Sequence, residues 1–286
     1  MKTRIGPYLW SASIYVAGLA LALYVAPSNK PIFEGGGLPQ QTTPLWLILT
    51  YFFSAVAVIA VVLFLLPLRI VRYIFRIVFA LMYAWGVLIV FLNISEPLSY
   101  VLAAAAGLAW LFFARVWLHD ILLLIALAAA ASVFGYLFSP LTFMIFMLVI
   151  SVYDVLAVRF GFMVWMADKL TDTSSLPAFI FPKKIRDTSL KLKAVQFSEL
   201  RKEGAEKREH TILGGGDIGF PLMLAVAIFF VYGLDGALLV GFCALIGIMG
   251  AFIIQARWLK GKPMPALPPI TLFAGIGYLI THFVLG

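Results

Sequence analysis

Cysteine, histidine and charge are all scarce in this chain of 286 residues, and each scarcity removes a class of function. The one cysteine, Cys243, cannot form an intrachain disulfide, and in its apolar run it reads as a small packing residue. The three histidines, His119, His210 and His282, are not clustered, and no HExxH pattern occurs. Zinc hydrolysis therefore lacks its ligands, and neither a metal nor a cofactor is expected. Serine catalysis would have to draw Ser132 or Ser151 to His282 on another helix, which nothing in their spacing suggests. Charged residues make up 12% of the chain and hydrophobic ones 63%, whereas soluble domains carry about 25% and 45–50%. With a mean hydropathy of +1.05, the chain is a multi-pass integral membrane protein. Its net charge of +8 does not call for a nucleic acid, because the cations fall in loops between apolar runs, where topology accounts for them.

A membrane helix takes about 20 mostly apolar residues. Nine stretches meet that measure: 7–26, 44–66, 74–93, 97–115, 119–138, 141–163, 214–234, 236–256 and 266–285. Prolines 44, 67, 97 and 140 mark boundaries, as expected where helices start or stop. The first run follows Lys2-Thr3-Arg4 in the manner of a signal peptide, but its apolar core outruns the 7–15 residues of one, so a retained span is expected. Alternate loops differ sharply in cations. Lys2, Arg4, Arg69, Arg72, Arg76, Arg115, the long loop after the sixth span, Arg257, Lys260 and Lys262 fall on one side, against little more than Lys30 on the other. By the positive-inside rule the N-terminus is cytoplasmic and, with nine spans, the C-terminus outside.

The chain thus divides into a six-helix membrane region over 1–166, a cytoplasmic loop over 167–212 and a three-helix membrane region over 213–286. The second half of the loop, from Lys183-Lys184-Ile185-Arg186 to Arg208-Glu209-His210, is dense in charge and reads as solvated or disordered. Its first half holds an apolar patch between prolines, Pro177 to Pro182, which reads first as an interfacial anchor and second as a cover over a substrate entrance. No internal repeat is evident. Ala103, Gly107, Gly247 and Gly250 read as close-packing positions.

Two carboxylates remain to be explained. Asp154 lies inside the sixth run and Asp217 at the mouth of the seventh, behind Gly214-Gly215-Gly216. An ionisable group inside a membrane marks a functional site by default. Asp154 stands about 7–8 Å deeper than Arg159, and Asp217 at most about 10 Å beyond His210 if that stretch is helical, so both acids are expected at similar depth. The glycines let the backbone leave helical geometry and let another chain approach. Two carboxylates sharing a site cannot both ionise cheaply. The ionised one can take a proton from water while the neutral one donates to a peptide carbonyl, which suffices for amide hydrolysis. Asp120 and Asp235 fall at helix ends and are expected to be solvated.

Three short motifs in order, Tyr153-Asp154, Gly214-Gly215-Gly216-Asp217 and Pro265-Ala266-Leu267-Pro268, resemble the YD, GxGD and PAL motifs of the presenilin and signal peptide peptidase family of intramembrane aspartyl proteases. Each is weak alone; together, on the sixth, seventh and ninth spans, they are specific. The cytoplasmic N-terminus and the full PALP lean toward the presenilin branch and a prokaryotic homologue acting without further subunits. The resemblance implies an all-α, presenilin-like fold in the cell membrane and cleavage of membrane-spanning helices of protein substrates within the bilayer. It implies Asp154 and Asp217 as the catalytic pair. Tyr153, Gly214, Gly215, Gly216 and Pro265, Ala266, Leu267, Pro268 would shape the site and hold the substrate. A secondary transporter using the two acids as a proton or ion relay is the alternative. The absence of a repeated half and the off-centre depth of the acids count against it. A prepilin-type leader peptidase shares the GxGD aspartate but not nine spans or PALP.

Overall fold

The computed structural model describes residues 6–162, 165–166, 169, 177–182, 210–257 and 264–285. Eight helices long and apolar enough to cross a membrane run through it: α1 (Gly6–Gly35), α2 (Leu45–Leu65), α3 (Leu68–Phe91), α4 (Glu96–Phe113), α5 (Val116–Leu137), α6 (Pro140–Arg159), α7 (Gly215–Arg257) and α8 (Leu267–Leu285). Between α6 and α7 lie two short strands, β1 (Ala178–Pro182) and β2 (His210–Gly214). The expectations for Lys2, Arg4, Lys260, Lys262 and the charged stretch 183–209 fall outside the described residues.

Proline sets several helix starts. Pro44 and Pro67 stand in extended backbone just before α2 and α3, and α4 and α6 carry proline in their first turn. On α6 the Ser139 side chain also accepts from the Thr142 amide at 3.2 Å, satisfying a donor that no helical carbonyl reaches. The first helix runs further than the sequence suggests, with Pro27 and Pro31 inside it. Contacts beyond the helix hold that extension: Asn29, fully buried, donates to Ile89 O at 2.7 Å. The third helix starts earlier than expected, at Leu68, because the arginines on its first turns face outward or reach across; Arg76 donates to Leu111 O near the end of α4.

The longest helix, α7, has 43 residues, about 64 Å if straight and twice the hydrocarbon thickness of about 30 Å. It is not straight. Gly233 (φ 77°, ψ −170°) is non-helical, in a region open almost only to glycine. A Cβ on Gly236 would lie 3.2 Å from Ile228, where a straight helix would separate them by about 12 Å. Leu222 meets α1 at Gly18 and Gly241 meets it at Leu19, so the two arms pass the same level in opposite directions. The second arm then packs antiparallel to α8 through Gly236 on Thr281, Val240 and Cys243 on Gly277, and Gly247 on Ile270. Cys243 is buried among them. Gly107 likewise lies against Ala80 and Ala84, and Ala103 is buried, as expected of packing positions; Gly250 has open space around it.

The helix α5 is the most enclosed, touching α1, α3 and the first arm of α7, whereas α2 buries little of its surface. The two strands are the departure from an all-helical reading. They pair antiparallel, Ala178 opposite Gly214 and Pro182 opposite His210, so 178–182 and 210–212 within the 167–212 stretch are strand. Nor is the patch between prolines an interfacial anchor: Ala178, Phe179 and Ile180 are buried against α5 inside the protein. Such a run is half a sheet, and its partner strand lies far along the sequence.

Candidate active site

Asp154 sits near the end of α6, 5% exposed, and the site is built outward from it. Its Oδ2 accepts from the backbone amide of Leu267 at 3.2 Å, and the Ala266 amide also donates to it. Leu267 is the first residue of α8. A helix leaves the amides of its first four residues without a partner inside it. Here two of those four positions are Pro268 and Pro269, which have no amide hydrogen to satisfy. Pro268 and Pro269 therefore remove two donors from this helix start, and the Ala266 and Leu267 amides turn onto one carboxylate.

Asp217 is half-buried on the first turn of α7. Its carboxylate folds back toward its own strand and accepts from the Gly214 amide, and it lies close enough to Asp154 for the two charges to interact. The seven residues from His210 to Asp217 are not helical throughout, as the depth estimate assumed. Strand runs to Gly214 and helix begins at Gly215. The three glycines have distinct surroundings. A Cβ on Gly214 would lie 2.9 Å from Asp217 Oδ2, one on Gly215 2.9 Å from Pro177 O, and one on Gly216 3.1 Å from the Phe220 ring. The Gly215 amide donates to that same Pro177 carbonyl at 2.9 Å. Side chains at these positions would push the strand, the helix start or the carboxylate apart.

Tyr153 turns its ring edge-on to Phe52 and Phe53 of α2, at centroid distances of 6.1 and 5.7 Å. Phe52 continues to Phe146 and Phe220, which also meet each other at 5.7 Å. An aromatic wall thus joins α2, α6 and α7 beside the two acids. The sequence reading missed Phe52, Phe146 and Phe220, because phenylalanine is abundant in this chain and only the fold selects these three. An open apolar groove of about 470 Å³ lies further along α2, between Ala60, Phe64 and Trp165, and neither acid lines it.

Asp120 is not solvated as its place at a helix end suggested. It is half-buried, and its Oδ1 accepts from the Ile180 amide of β1 at 3.1 Å, because the strand covers that end of α5. Asp235, at the turn of α7, is exposed as expected. Among the described residues no three His, Cys, Asp or Glu side chains gather into a group able to hold a metal ion.

Two acids are thus brought together by separate apolar helices of a chain with eight helices long and apolar enough to cross a membrane. Residues 15–286 match the signal-peptide peptidase, presenilin aspartyl protease family, and the chain belongs to it and is an aspartic endopeptidase. No curated protein matches the chain. Two solved structures of a presenilin family intramembrane aspartate protease share the fold. The one in a C222 crystal form has a TM-score of 0.68 and 16% identity, covering 97% of this chain and 99% of that one. The one in a P2 form has a TM-score of 0.64 and 18% identity, covering 99% of each.

Proposed function

We propose that this protein hydrolyses peptide bonds within membrane-spanning helices of protein substrates, with Asp154 and Asp217 as a general acid/base pair and one water as nucleophile. The observation that carries the reading is the convergence of Asp154, Asp217 and the amide of Leu267 from three separate elements on one site. The ionised carboxylate takes a proton from the water as it attacks the carbonyl carbon, and the neutral one donates to the carbonyl oxygen. The proton taken from the water then passes to the departing amine, and the diol hydroxyl returns the other to its carboxylate as the carbonyl re-forms, so the pair ends with the one proton it began with. Leu267 and Ala266 hold Asp154 in aim, Gly214 does the same for Asp217, and Tyr153 fixes α6 against α2. Pro265 and Ala266 keep the chain before α8 non-helical, free to offer partners to an unwound substrate, and Leu267 and Pro268 open the helix.

Each arm of α7 is apolar and long enough to cross, so we count nine spans. The strands, Arg69, Arg72, Arg76 and Arg115 share the cytoplasmic end, and Lys30 lies at the other. That arrangement supports a cytoplasmic N-terminus, a C-terminus outside and the cell membrane as the location. Cleavage of a model single-span substrate in liposomes tests the reaction. Asp154→Asn and Asp217→Asn each lower the rate by roughly a thousandfold or more while the protein stays folded. Normal cleavage by both variants, with ion flux across the same liposomes lost, would instead establish the relay.

A further inference from the structure

We infer that His119 and Asp120, near the start of α5, are positioning residues that hold the outer edge of β1 and through it set the place of Asp217; this rests on Asp217 being catalytic. Along a strand, successive residues direct their backbone groups to opposite edges. Pro177 O faces β2, where it accepts from Gly215. The groups of Ala178 and Ile180 therefore face away from β2, toward α5. A two-stranded sheet buried against α5 would leave that edge unsatisfied, which the apolar surroundings penalise. Two side chains of α5 close it. His119 Nε2 lies 3.0 Å from Ala178 O, and Asp120 Oδ1 accepts from the Ile180 amide at 3.1 Å. One donor and one acceptor, adjacent in sequence, thus take the place of a third strand.

The clamp is itself held. Ala178 O can only accept, so in the neutral ring Nε2 carries the hydrogen and Nδ1 accepts from the Tyr83 hydroxyl at 2.7 Å. His119 is fully buried, with its ring against Trp110 at a centroid distance of 5.3 Å. Downstream, β1 holds β2 through the ladder from Ala178–Gly214 to Pro182–His210, and Gly214 donates to the Asp217 carboxylate. The same helix makes a second contact further along: Cβ atoms on Gly215 or Gly219 would come 3.8 and 3.0 Å from Leu127. Thus α5 grips both the strand pair and the start of α7, without touching a reacting atom.

The test compares Asp120→Ala with Asp120→Asn, since asparagine keeps the acceptor and drops the charge. Steady-state cleavage of the single-span substrate is read alongside amide hydrogen exchange over 178–182 and 210–214 and thermal unfolding. In Asp120→Ala, kcat falls roughly tenfold with KM near the original, and exchange rises in both strands. Asp120→Asn restores both. Tyr83→Phe, which removes only the hydroxyl supporting His119, gives a smaller fall of the same kind and keeps the result readable if Asp120→Ala does not fold. Unchanged kcat and exchange in Asp120→Ala, or an Asp120→Asn as slow as Asp120→Ala, would overturn the clamp. Asp217→Asn run beside them separates the two ideas. If it is inactive while the clamp variants are normal, the dyad stands and the clamp falls; if it is active, both fall.

Discussion

At the scale of single residues, the site depends on atoms that are missing as much as on those present. Gly214 leaves room for the Asp217 carboxylate, and a Cβ there would sit 2.9 Å from Oδ2. Gly214→Ala should therefore lower kcat by roughly tenfold or more, by displacing the carboxylate proposed to react. Gly216→Ala meets only the edge of the Phe220 ring, which can rotate away, and should cost less; the ratio of the two kcat values checks the distinction. A pair of carboxylates that works with one shared proton also has a signature of its own. Rate against pH should be bell-shaped, falling on the acid side as the base is protonated and on the alkaline side as the last proton leaves. In Asp154→Asn no residual rate with that bell should survive. The two acids were legible because a carboxylate is conspicuous in an apolar run. Asp120 was misread for a physical reason: depth along a helix says where water would be only if no other chain covers that end.

At the scale of elements, the link between the second arm of α7 and the acids runs through glycine. A Cβ on Gly247 would come 2.7 Å from Ile270 Cα and 2.9 Å from Pro269 O, both in the first turn of α8, which carries the Leu267 amide to Asp154. Backbone cannot step aside as a side-chain end can. Gly247→Ala should thus slow cleavage, whereas Gly250→Ala, in open space, should not; parallel kcat measurements decide. The fold of α7 tests separately. Gly233→Ala forces an alanine into a conformation nearly exclusive to glycine and should destabilise the protein by about 1–3 kcal/mol, read as a lower unfolding temperature. Most helices could be read from apolar length and proline alone. The strands could not. β1 is five residues between charged and proline-rich sequence, and its partner is found only when the chain folds back past 183–209. The end of α1 escaped too, because Pro27 and Pro31 imply a stop that packing against α3 overrides.

At the scale of the whole molecule, charge and helix direction agree. Arg76 reaching the end of α4 and Arg115 opening α5 put the basic side at the end that carries the strand pair. The segment after α1 packs on the opposite end, where the Gln41 and Thr43 amides donate to Tyr136 and Leu137 at the close of α5. Because Cys243 is buried, single cysteines placed elsewhere report alone. An impermeant maleimide added to intact cells should label Glu34→Cys, and Arg69→Cys only after permeabilisation; the reverse pattern would invert the topology.

The turn at Gly233 also governs how the chain is made. Ribosomes add about 5–20 residues each second, so the two arms of α7 emerge within seconds of one another, joined by no polar loop that could wait in water. In the orientation proposed here, they must enter the bilayer as one hairpin and carry Asp235 through it, at a cost of about 2.5–3.5 kcal/mol by insertion scales. The long apolar arms on either side supply the driving force. A second charge at the tip would therefore show itself as protein that never integrates and is degraded, before any question of catalysis arises.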